Sequence, residues 1–535
     1  MKVFKKSVSL LLVFVMLFSL AFSTSALDED ALKQSVSKGF YNVVEVIFEK
    51  LISTISLAFP VPRDWKAPEK TVFDGLMPGT EEFLTEPADN AVFSLGYDSR
   101  SLLENAGEIV GKMYVAGSIA FRKKLATEVV DDLKVRTAAI SDGSGRGISV
   151  LVVLDAYGLS LPDTREIRAR LASFTKEKNI NSITVSVLHQ HSAVDTLGMN
   201  GDIFEMALVN PMRTALSIET KNGKNKEYME NLFNCCVESV KASVNSMKEG
   251  KLYYGTASQK DYLSDKRAPY VSDDNFNRFR FVPADGSRET WLVSTEIHCV
   301  GNGAAGTAIT GDYPYYAEQV INEKADANIM FFMGAQQSTT QNHNSVTVPN
   351  EGDSRIENLA QFGKSLGNHL MSIKEENEVS PLLNIRYEEA IFPISNPVLE
   401  LCGKAGIFEA KIVKLKCGYG VLTEVGYMEL GNDLAFAIIP GEVAPEIVYG
   451  GCFDKAEAWS KKDWNYPSLQ EIIAEAGSTR TLKAIDLAND QIGYIVPDNN
   501  FIAMLAPESQ SIELVSLGSK TASTLVKAFE KLVKD

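Results

Sequence analysis

The sequence predicts an α/β protein in which central mixed β-sheets are flanked by helices. Strand-like runs such as 148–155, which are almost continuously apolar, alternate with helical segments such as 162–177. Continuous apolar strands are typical of sheets that are covered on both faces. In addition, histidines stand where two of the predicted strands end. The ends of strands are the places where open α/β sheets bind ligands.

The composition limits the size and the partners of the protein. The chain has 535 residues, of which 45% are hydrophobic, so it can bury a large core. A chain of this length typically forms two to four domains. Its formal net charge is −16. This acidity argues against a nucleic-acid partner and against electrostatic attachment to anionic membranes. The oligomeric state cannot be read from these properties.

Residues 1–26 are predicted to be a secretory signal peptide. A basic start is followed by the apolar run 8–22, which is shorter than a bilayer requires, and by Thr24-Ser25-Ala26, whose small residues suit cleavage after Ala26. An uncleaved anchor is the alternative. We therefore expect an exported protein, located outside the cell or at its surface.

The six cysteines are few for a chain of this length and contain no C-x-x-C pair. They therefore predict neither a disulfide framework nor a structural zinc site. Adjacent Cys235 and Cys236 fit the core face of a helix better than a redox pair. Export permits a disulfide, for example between Cys402 and Cys417, although connectivity cannot be read from sequence.

Residues 27–90 are expected to form an N-terminal amphipathic helix and a linker. Apolar side chains recur at helical spacing over 31–57, and prolines and glycines punctuate the chain from there to about residue 90. We expect this helix to lie on the body of the protein, with a membrane-surface helix as the functional alternative. Residues 91–535 would then form the main domain, within which the more polar stretch 200–288 is expected to be an elaboration.

The most informative stretch is 183–198, where a β-branched run ends in His189-Gln190-His191. A strand has a side-chain period of two, so we expect both imidazoles to leave the same face where the sheet ends. Paired histidines can simply be hydrogen-bonded to backbone. Neutral imidazole is, however, the commonest transition-metal ligand, which favours a metal or catalytic site.

Further candidates follow other strand-like runs. His298 lies near the end of 289–300, and the glycine-rich loop after it matches neither the dinucleotide fingerprint nor the P-loop. Glu442 lies in a Pro-Gly turn after an apolar strand, which fixes where its carboxylate points. Glu442 would ordinarily be interpreted as an exposed glutamate in a turn. Tyr494 would ordinarily be interpreted as a core residue. The remaining two histidines, His343 and His369, have the settings of solvated side chains.

In order and rough spacing, these motifs resemble the neutral, non-lysosomal ceramidase family of secreted or surface zinc amidohydrolases. The resemblance rests on 133–143, His189-Gln190-His191-Ser192, His298 followed by Gly311-Asp312-Tyr313, Pro440-Gly441-Glu442 and Ile492-Gly493-Tyr494-Ile495. It implies the fold of the ceramidase N-terminal catalytic domain. The chain stops soon after Tyr494, so we expect no C-terminal immunoglobulin-like domain.

The resemblance implies that four side chains surround one Zn²⁺, namely His189, His298, Glu442 and Tyr494. His191 would lie beside the ion as a proton-handling or orienting catalytic group. Two neutral nitrogens and one carboxylate form a catalytic type of ligand set, because they leave a position for water. Tyr494 would complete the metal shell or steady the oxyanion as a catalytic group. Asp312 is a candidate for holding a ligating imidazole by its other nitrogen, although an aspartate at this position is often only a helix cap.

The activity implied by the resemblance is hydrolysis of an amide by metal-activated water, on a small-molecule or lipid substrate such as a ceramide-like sphingolipid. Two departures from the family keep alternatives open. Gly334 stands where the family carries a serine, and Gln190 and Ala193 alter the usual His-Thr-His-Ser-Gly run. The alternatives are a zinc hydrolase of another amide or ester, such as a cell-wall component, and a catalytically degenerate envelope binding protein.

Overall fold

A computed structural model describes residues 38–117, 124–202, 205–303, 306–343 and 354–534. The predicted signal peptide lies outside the described residues. Within these ranges, no helix combines the length and the apolar character that crossing a bilayer requires. All six cysteines have free thiols, so the disulfide considered between Cys402 and Cys417 is not formed.

The described chain alternates strands with helices, which confirms the predicted mixed α/β class. The strands are β1 (Phe93–Ser101), β2 (Glu128–Val129), β3 (Lys134–Ser141), β4 (Ile148–Leu154), β5 (Ile180–Val187), β6 (Lys248–Ser258), β7 (Leu263–Asp265), β8 (Asn275–Pro283), β9 (Glu289–Thr295), β10 (Ala308–Ile309), β11 (Ala327–Met333), β12 (Thr339–Gln341), β13 (Asn377–Glu378), β14 (Leu383–Ile394), β15 (Ile412–Lys414), β16 (Tyr419–Leu430), β17 (Leu434–Ile438), β18 (Glu442–Val443), β19 (Thr481–Ile485) and β20 (Tyr494–Ile495).

The helices flank two sheets built from these strands. They are α1 (Lys38–Ser56), α2 (Leu161–Arg170), α3 (Ala172–Lys178), α4 (Asn210–Leu216), α5 (Lys226–Asn245), α6 (Asp312–Lys324), α7 (Arg355–Leu370), α8 (Pro397–Lys404), α9 (Pro445–Tyr449), α10 (Leu469–Glu475) and α11 (Thr521–Lys534).

Serine capping boxes fix where three of these helices begin. The side chains of Ser160, Ser354 and Ser468 accept hydrogen bonds from the third residue of α2, α7 and α10, respectively. The acidic side chain of each third residue in turn accepts a hydrogen bond from the backbone N–H of the serine. The two bonds together satisfy two backbone donors that would otherwise be unpaired. The single helix predicted at 162–177 is divided, because α2 ends at Arg170 and α3 begins at Ala172.

The first sheet has nine strands, eight of them in the order β11-β9-β8-β6-β1-β3-β4-β5, with β13 paired to β6. The pairs β9/β11 and β4/β5 at its two ends are parallel, whereas the pairs between them are antiparallel. Twist makes such a wide sheet coil. Here the coiling brings the two edge strands, β11 and β5, into contact.

The polar stretch 200–288 contributes two strands, β6 and β8, to the middle of this sheet, which differs from the expected elaboration. Charged residues make the sequence of β8 look too polar for a buried strand. In the structure they are paired, because Arg278 and Arg280 both form ion pairs with Glu376. Aromatic residues of the same strand, such as Phe279, are buried in the core.

The second sheet has the order β14-β16-β17-β19, with β15 paired to β16. Helix α11 packs on it and buries Phe529. Its last pair, β17/β19, is parallel, like the end pairs of the first sheet. A backbone bridge between Ser186 and Ala488, just after β19, joins the two sheets. As a result, the carboxyl ends of parallel strands from both sheets meet in one place.

Candidate metal centre

Three histidines lie together where strands of the first sheet end. His189 follows β5, and His298 follows β9. The ring centroid of His189 is 4.8 Å from the centroids of both His191 and His298, and the latter two are 5.5 Å apart. A ligand nitrogen of each imidazole lies within 4.8 Å of the others. This buried group has the composition and spacing to hold a metal ion.

His189 and His191 meet by a route that differs from the prediction of one strand face. Strand β5 ends at Val187, and His189 has a φ of 53°, in the left-handed region that non-glycine residues seldom adopt. The backbone therefore turns between the strand and the two rings. Tyr157, which follows β4, stacks on the ring of His189 with centroids 4.4 Å apart.

Backbone carbonyls hold the Nδ1 atom of each imidazole. The distances are 2.7 Å from His189 Nδ1 to the Tyr157 oxygen, 3.1 Å from His191 Nδ1 to the Gly117 oxygen and 3.1 Å from His298 Nδ1 to the Gln336 oxygen. A carbonyl only accepts, so each Nδ1 must donate a proton. In a neutral ring, the lone pair is then on Nε2.

Glu442, the first residue of β18, which follows β17 of the second sheet, completes the group. Its Oε2 lies 3.3 Å from His189 Nε2 and 3.1 Å from His298 Nε2. Its Oε1 accepts a hydrogen bond of 3.1 Å from Gln491 Nε2. Contrary to the ordinary interpretation of an exposed turn glutamate, Glu442 is only 2% exposed.

Burial keeps the paired histidines neutral. Desolvation lowers the pKa of His189 well below its usual value, and the neighbouring His298 and His191 lower it further. Desolvation, with a contribution from His298, lowers the pKa of His191 to about 3. Both rings therefore carry a lone pair rather than a second proton at neutral pH.

These contacts place polar atoms of the paired histidines and of Glu442 side by side in a buried space. The Nε2 atoms of His189 and His191 and the Oε2 atom of Glu442 are buried and have no hydrogen-bond partner among the described residues. Unpaired buried acceptors are costly unless a cation binds them. Ligands placed 2.0–2.2 Å from one tetrahedral ion lie about 3.3–3.6 Å apart. The spacing between Glu442 and the two imidazoles therefore fits a transition-metal ion, and the donor set fits zinc.

Tyr494 lies beside Glu442. The two are register partners in the parallel pair of β18 and β20. Desolvation, the charge of Glu442 and a hydrogen bond to that carboxylate raise the pKa of the Tyr494 phenol well above its usual value. Tyr494 is therefore a neutral donor next to the group, rather than the isolated core residue suggested by its apolar neighbours.

Asp312 has partners other than an imidazole. Its carboxylate accepts bonds from the backbone of Gly301 and Tyr313 and from Gln341 Nε2, at 3.0, 2.7 and 2.6 Å. The role considered for it, holding the second nitrogen of a ligating histidine, is filled by backbone carbonyls instead. Desolvation raises the pKa of Asp312 to about 6. This residue organises the loop after His298.

Two further residues of the site were not selected from the sequence, Tyr157 and Asp486. Both follow apolar strands, β4 and β19, so the rule that selected the histidines also applies to them. Asp486 Oδ2 accepts bonds from Val443 N at 2.9 Å and Gln336 N at 3.4 Å. It thereby joins the backbone next to Glu442 to the loop whose carbonyl holds His298.

Gly334, the position at which the resemblance places a serine, has no space for a side chain. An added Cβ would lie 2.9 Å from Glu296 Cγ. Glu296 cannot easily move aside, because Tyr449 Oη and Asp273 N bind its carboxylate at 2.8 and 2.7 Å. Ser338, the nearest serine after it, donates to Asp265 Oδ1 at 2.7 Å.

A narrow, largely apolar pocket leads to Glu442 and Tyr157, with Leu197, Met199, Leu399 and Phe408 in its wall. The turn after His191 supplies Leu197 and Met199 to this wall. Asp195 fixes this turn, because its carboxylate accepts backbone bonds from Leu197, Gly198 and Asn200 at 3.1, 2.9 and 2.7 Å.

Comparison with known proteins identifies the fold. No family model and no curated protein matches the sequence. The structure of neutral ceramidase from Pseudomonas aeruginosa is similar, with a TM-score of 0.62, 15% identity and coverage of 83% of this chain and 74% of that chain. A ceramidase complexed with C2 gives a TM-score of 0.60, 14% identity and coverage of 83% and 75%. This likeness confirms the ceramidase-like fold, and the chemistry must be argued from the residues.

Proposed function

We propose that this protein is an exported zinc-dependent hydrolase that cleaves a linear amide, with the N-acyl bond of a ceramide-like lipid as the preferred substrate. The observation that carries the proposal is that Glu442 Oε2 lies 3.1 Å from His298 Nε2 and 3.3 Å from His189 Nε2, while the His189 nitrogen and the Glu442 oxygen are buried and have no hydrogen-bond partner among the described residues. These acceptors would be bound together by a cation. The apolar pocket at Glu442 and the fold shared with ceramidases support the choice of substrate.

The metal would be held by His189, His298 and Glu442, with Tyr494 as the further ligand. When bound, zinc lowers the pKa of water toward about 7 and polarises a carbonyl, which is the chemistry that amide hydrolysis requires. Gln491 and Tyr494 orient the Glu442 carboxylate through their hydrogen bonds. That orientation keeps Oε2 facing the imidazoles.

His191 and the pocket have separate tasks in this proposal. With Nδ1 anchored on the Gly117 carbonyl, the Nε2 of His191 is free to take a proton and to return it to the leaving amine. The apolar wall binds the hydrocarbon chain of the substrate and excludes water from the amide. Because Glu296 occupies the space at Gly334, the proposal includes no serine nucleophile.

The proposal is tested by metal analysis together with turnover of a substrate panel. We expect about one zinc per chain, lost in both His189→Ala and His298→Ala, and hydrolysis of N-acyl lipids that falls at least about a hundredfold in both variants. The matched control is His369→Ala, a half-buried histidine whose Nε2 contacts the Ser258 carbonyl at 2.8 Å. It should keep both metal and activity.

The other outcomes distinguish the alternatives. Zinc retained by both variants would refute the ligand assignment. Hydrolysis of cell-wall fragments or esters, but not of N-acyl lipids, would identify a different hydrolase. Full metal occupancy with no turnover on the panel would favour an envelope binding protein, for which the blocked serine position at Gly334 is the supporting observation.

A further inference from the structure

Helix α1 has an apolar side that faces solvent. Its inner side buries Phe48, Ile52 and Ile55 in a cluster with residues of α8. Its outer side exposes Phe40, Val43, Val46, Ile47 and Leu57, each between 48% and 83%. A helix that is hydrophobic all round is normally buried on every side. The outer side of α1 therefore needs a partner.

A second exposed apolar segment lies next to this helix. It consists of α4 and its flanks, and it exposes Leu208, Met212, Leu216 and Ile218. The C-terminal end of α8 and the residue that caps it hold the two segments in place: Lys404 Nζ donates to Ser56 Oγ at 2.9 Å, and Asn210 Nδ2 donates to the Ala405 oxygen at 2.8 Å. We call the exposed apolar side chains of residues 40–57 and 208–218 the apolar face.

Exposed hydrophobic side chains are concentrated in this face. Among the described residues, fifteen large hydrophobic side chains are exposed, and nine of them belong to the apolar face. Single exposed hydrophobic residues are normal, but a contiguous group marks an interaction surface. The remaining six are distributed over other parts of the chain.

The charge of the two segments indicates what kind of surface they fit. Residues 38–57 contain two lysines and two glutamates, and residues 205–218 contain one glutamate and one arginine, so both are neutral in a chain of net charge −16. A neutral apolar face suits a zwitterionic lipid surface. The acidic remainder of the protein would be repelled by anionic lipids.

The apolar face is continuous with the pocket at the candidate metal centre. After α8, the chain runs through Phe408, Glu409 and Ala410, which line the pocket that reaches Glu442. The same three residues line a neighbouring depression together with Ile218, a member of the apolar face. A molecule leaving a lipid layer at this face would therefore meet the entrance of the pocket.

We propose that the apolar face docks on the surface of a zwitterionic phospholipid bilayer. The outer side of α1 and the segment 208–218 would lie in the interface, with their side chains among the acyl chains. Fifteen residues separate the apolar run 8–22 from Lys38. Because this run is the predicted export signal, export would also bring this end of the chain to a membrane. The docking extends the proposed function, because it rests on that proposal for the choice of a lipid substrate. Docking itself requires no metal.

Vesicle flotation tests the docking directly. The full chain is mixed with phosphatidylcholine vesicles, and its partition is compared with that of Ile47→Glu, Met212→Glu and the double variant. We expect partitioning to fall roughly tenfold in each single variant and further in the double variant, because a carboxylate must then enter the interface. Val110→Glu and Val129→Glu place the same charge on exposed valines elsewhere and should change nothing.

Several readouts keep the result interpretable. N-terminal sequencing ensures that all variants begin at the same residue, and thermal unfolding checks that they are folded. The variants should hydrolyse a soluble short-chain amide at the wild-type rate but lose turnover of amides embedded in vesicles. Flotation that depends on the apolar face without any hydrolysis would leave the docking intact and refute only the proposed function.

Two results would overturn the docking proposal. The first is flotation of the double variant equal to that of the wild type. The second is a wild-type protein that ignores vesicles but sediments as a dimer, which becomes a monomer in the double variant. The apolar face would then be a contact between two copies of the chain.

Discussion

At the scale of single residues, the candidate metal centre depends on which atoms carry protons. Each of the three imidazoles uses Nδ1 to donate to a backbone carbonyl, which directs the lone pair of Nε2 inward. The Nε2 atoms of His189 and His298 then face Glu442 Oε2 at 3.3 and 3.1 Å. The left-handed backbone of His189 is consistent with strain retained at a functional position.

Replacing His191 separates proton handling from metal binding. If it handles protons, His191→Ala keeps about one zinc per chain while turnover falls about 10²–10⁴-fold, which is the usual contribution of general acid–base catalysis. The measurement is metal content and the rate of hydrolysis on the same preparation. Zinc lost from His191→Ala to the same extent as from His189→Ala would instead make His191 a ligand, and the proton-handling assignment would be wrong.

At the scale of elements, buried ion pairs attach α2 to the second sheet. Arg168 of α2 donates to both oxygens of Glu424 in β16, at 2.9 and 2.8 Å, and also to the Ile183 carbonyl of β5. The side chains of Arg168 and Glu424 are 3% and 0% exposed. This attachment fixes the relative position of the sheets that carry His189 and Glu442.

Breaking this attachment should destabilise the protein. We expect Glu424→Gln to lower the free energy of unfolding by about 3–5 kcal/mol, because it leaves the buried Arg168 charge without its partner. Denaturant unfolding measures the change. The same substitution at exposed Glu230, which pairs with Arg170 of the same helix at 2.7 Å, is the control and should have little effect. Equal effects of the two substitutions would contradict the role assigned to the buried pair.

At the scale of the whole molecule, the site is assembled from distant segments. His189, His298 and Glu442 follow strands of two sheets, and the coiling of the first sheet brings its edge strands together. A metal ion bound by all three residues would therefore connect segments that are far apart in the chain. Binding to the folded state alone stabilises it by mass action.

Removing metal should accordingly lower the thermal stability of the whole protein. Free metal at 100–1,000 times its dissociation constant stabilises a folded protein by about 3–4 kcal/mol. We expect a chelator to lower Tm by a few degrees and added zinc to restore it. His189→Ala should show neither change. A Tm that is insensitive to the chelator in the metal-loaded wild type would argue against an ion that connects the two sheets.

Local patterns in the sequence were sufficient for much of this description. Apolar runs predicted β4 to within one residue, at 148–155, and also located β5 and β9, and the polar residues just after strands included most of the site. These signals are local, because a strand or a capping box depends on neighbours in the chain. The strand β8 was missed because its charged residues find their partner, Glu376, about a hundred positions away.

The α/β class, some of the helices and strands, and a short set of candidate residues that included His189, His298 and Glu442 could be inferred from the amino-acid sequence. Three features required the folded chain: Glu442 Oε2 meets two imidazole nitrogens, backbone carbonyls rather than Asp312 hold those rings, and Glu296 fills the space at Gly334. The physical reason is that hydrogen-bond partners and free space depend on how distant segments pack. Composition and periodicity carry no information about such distances.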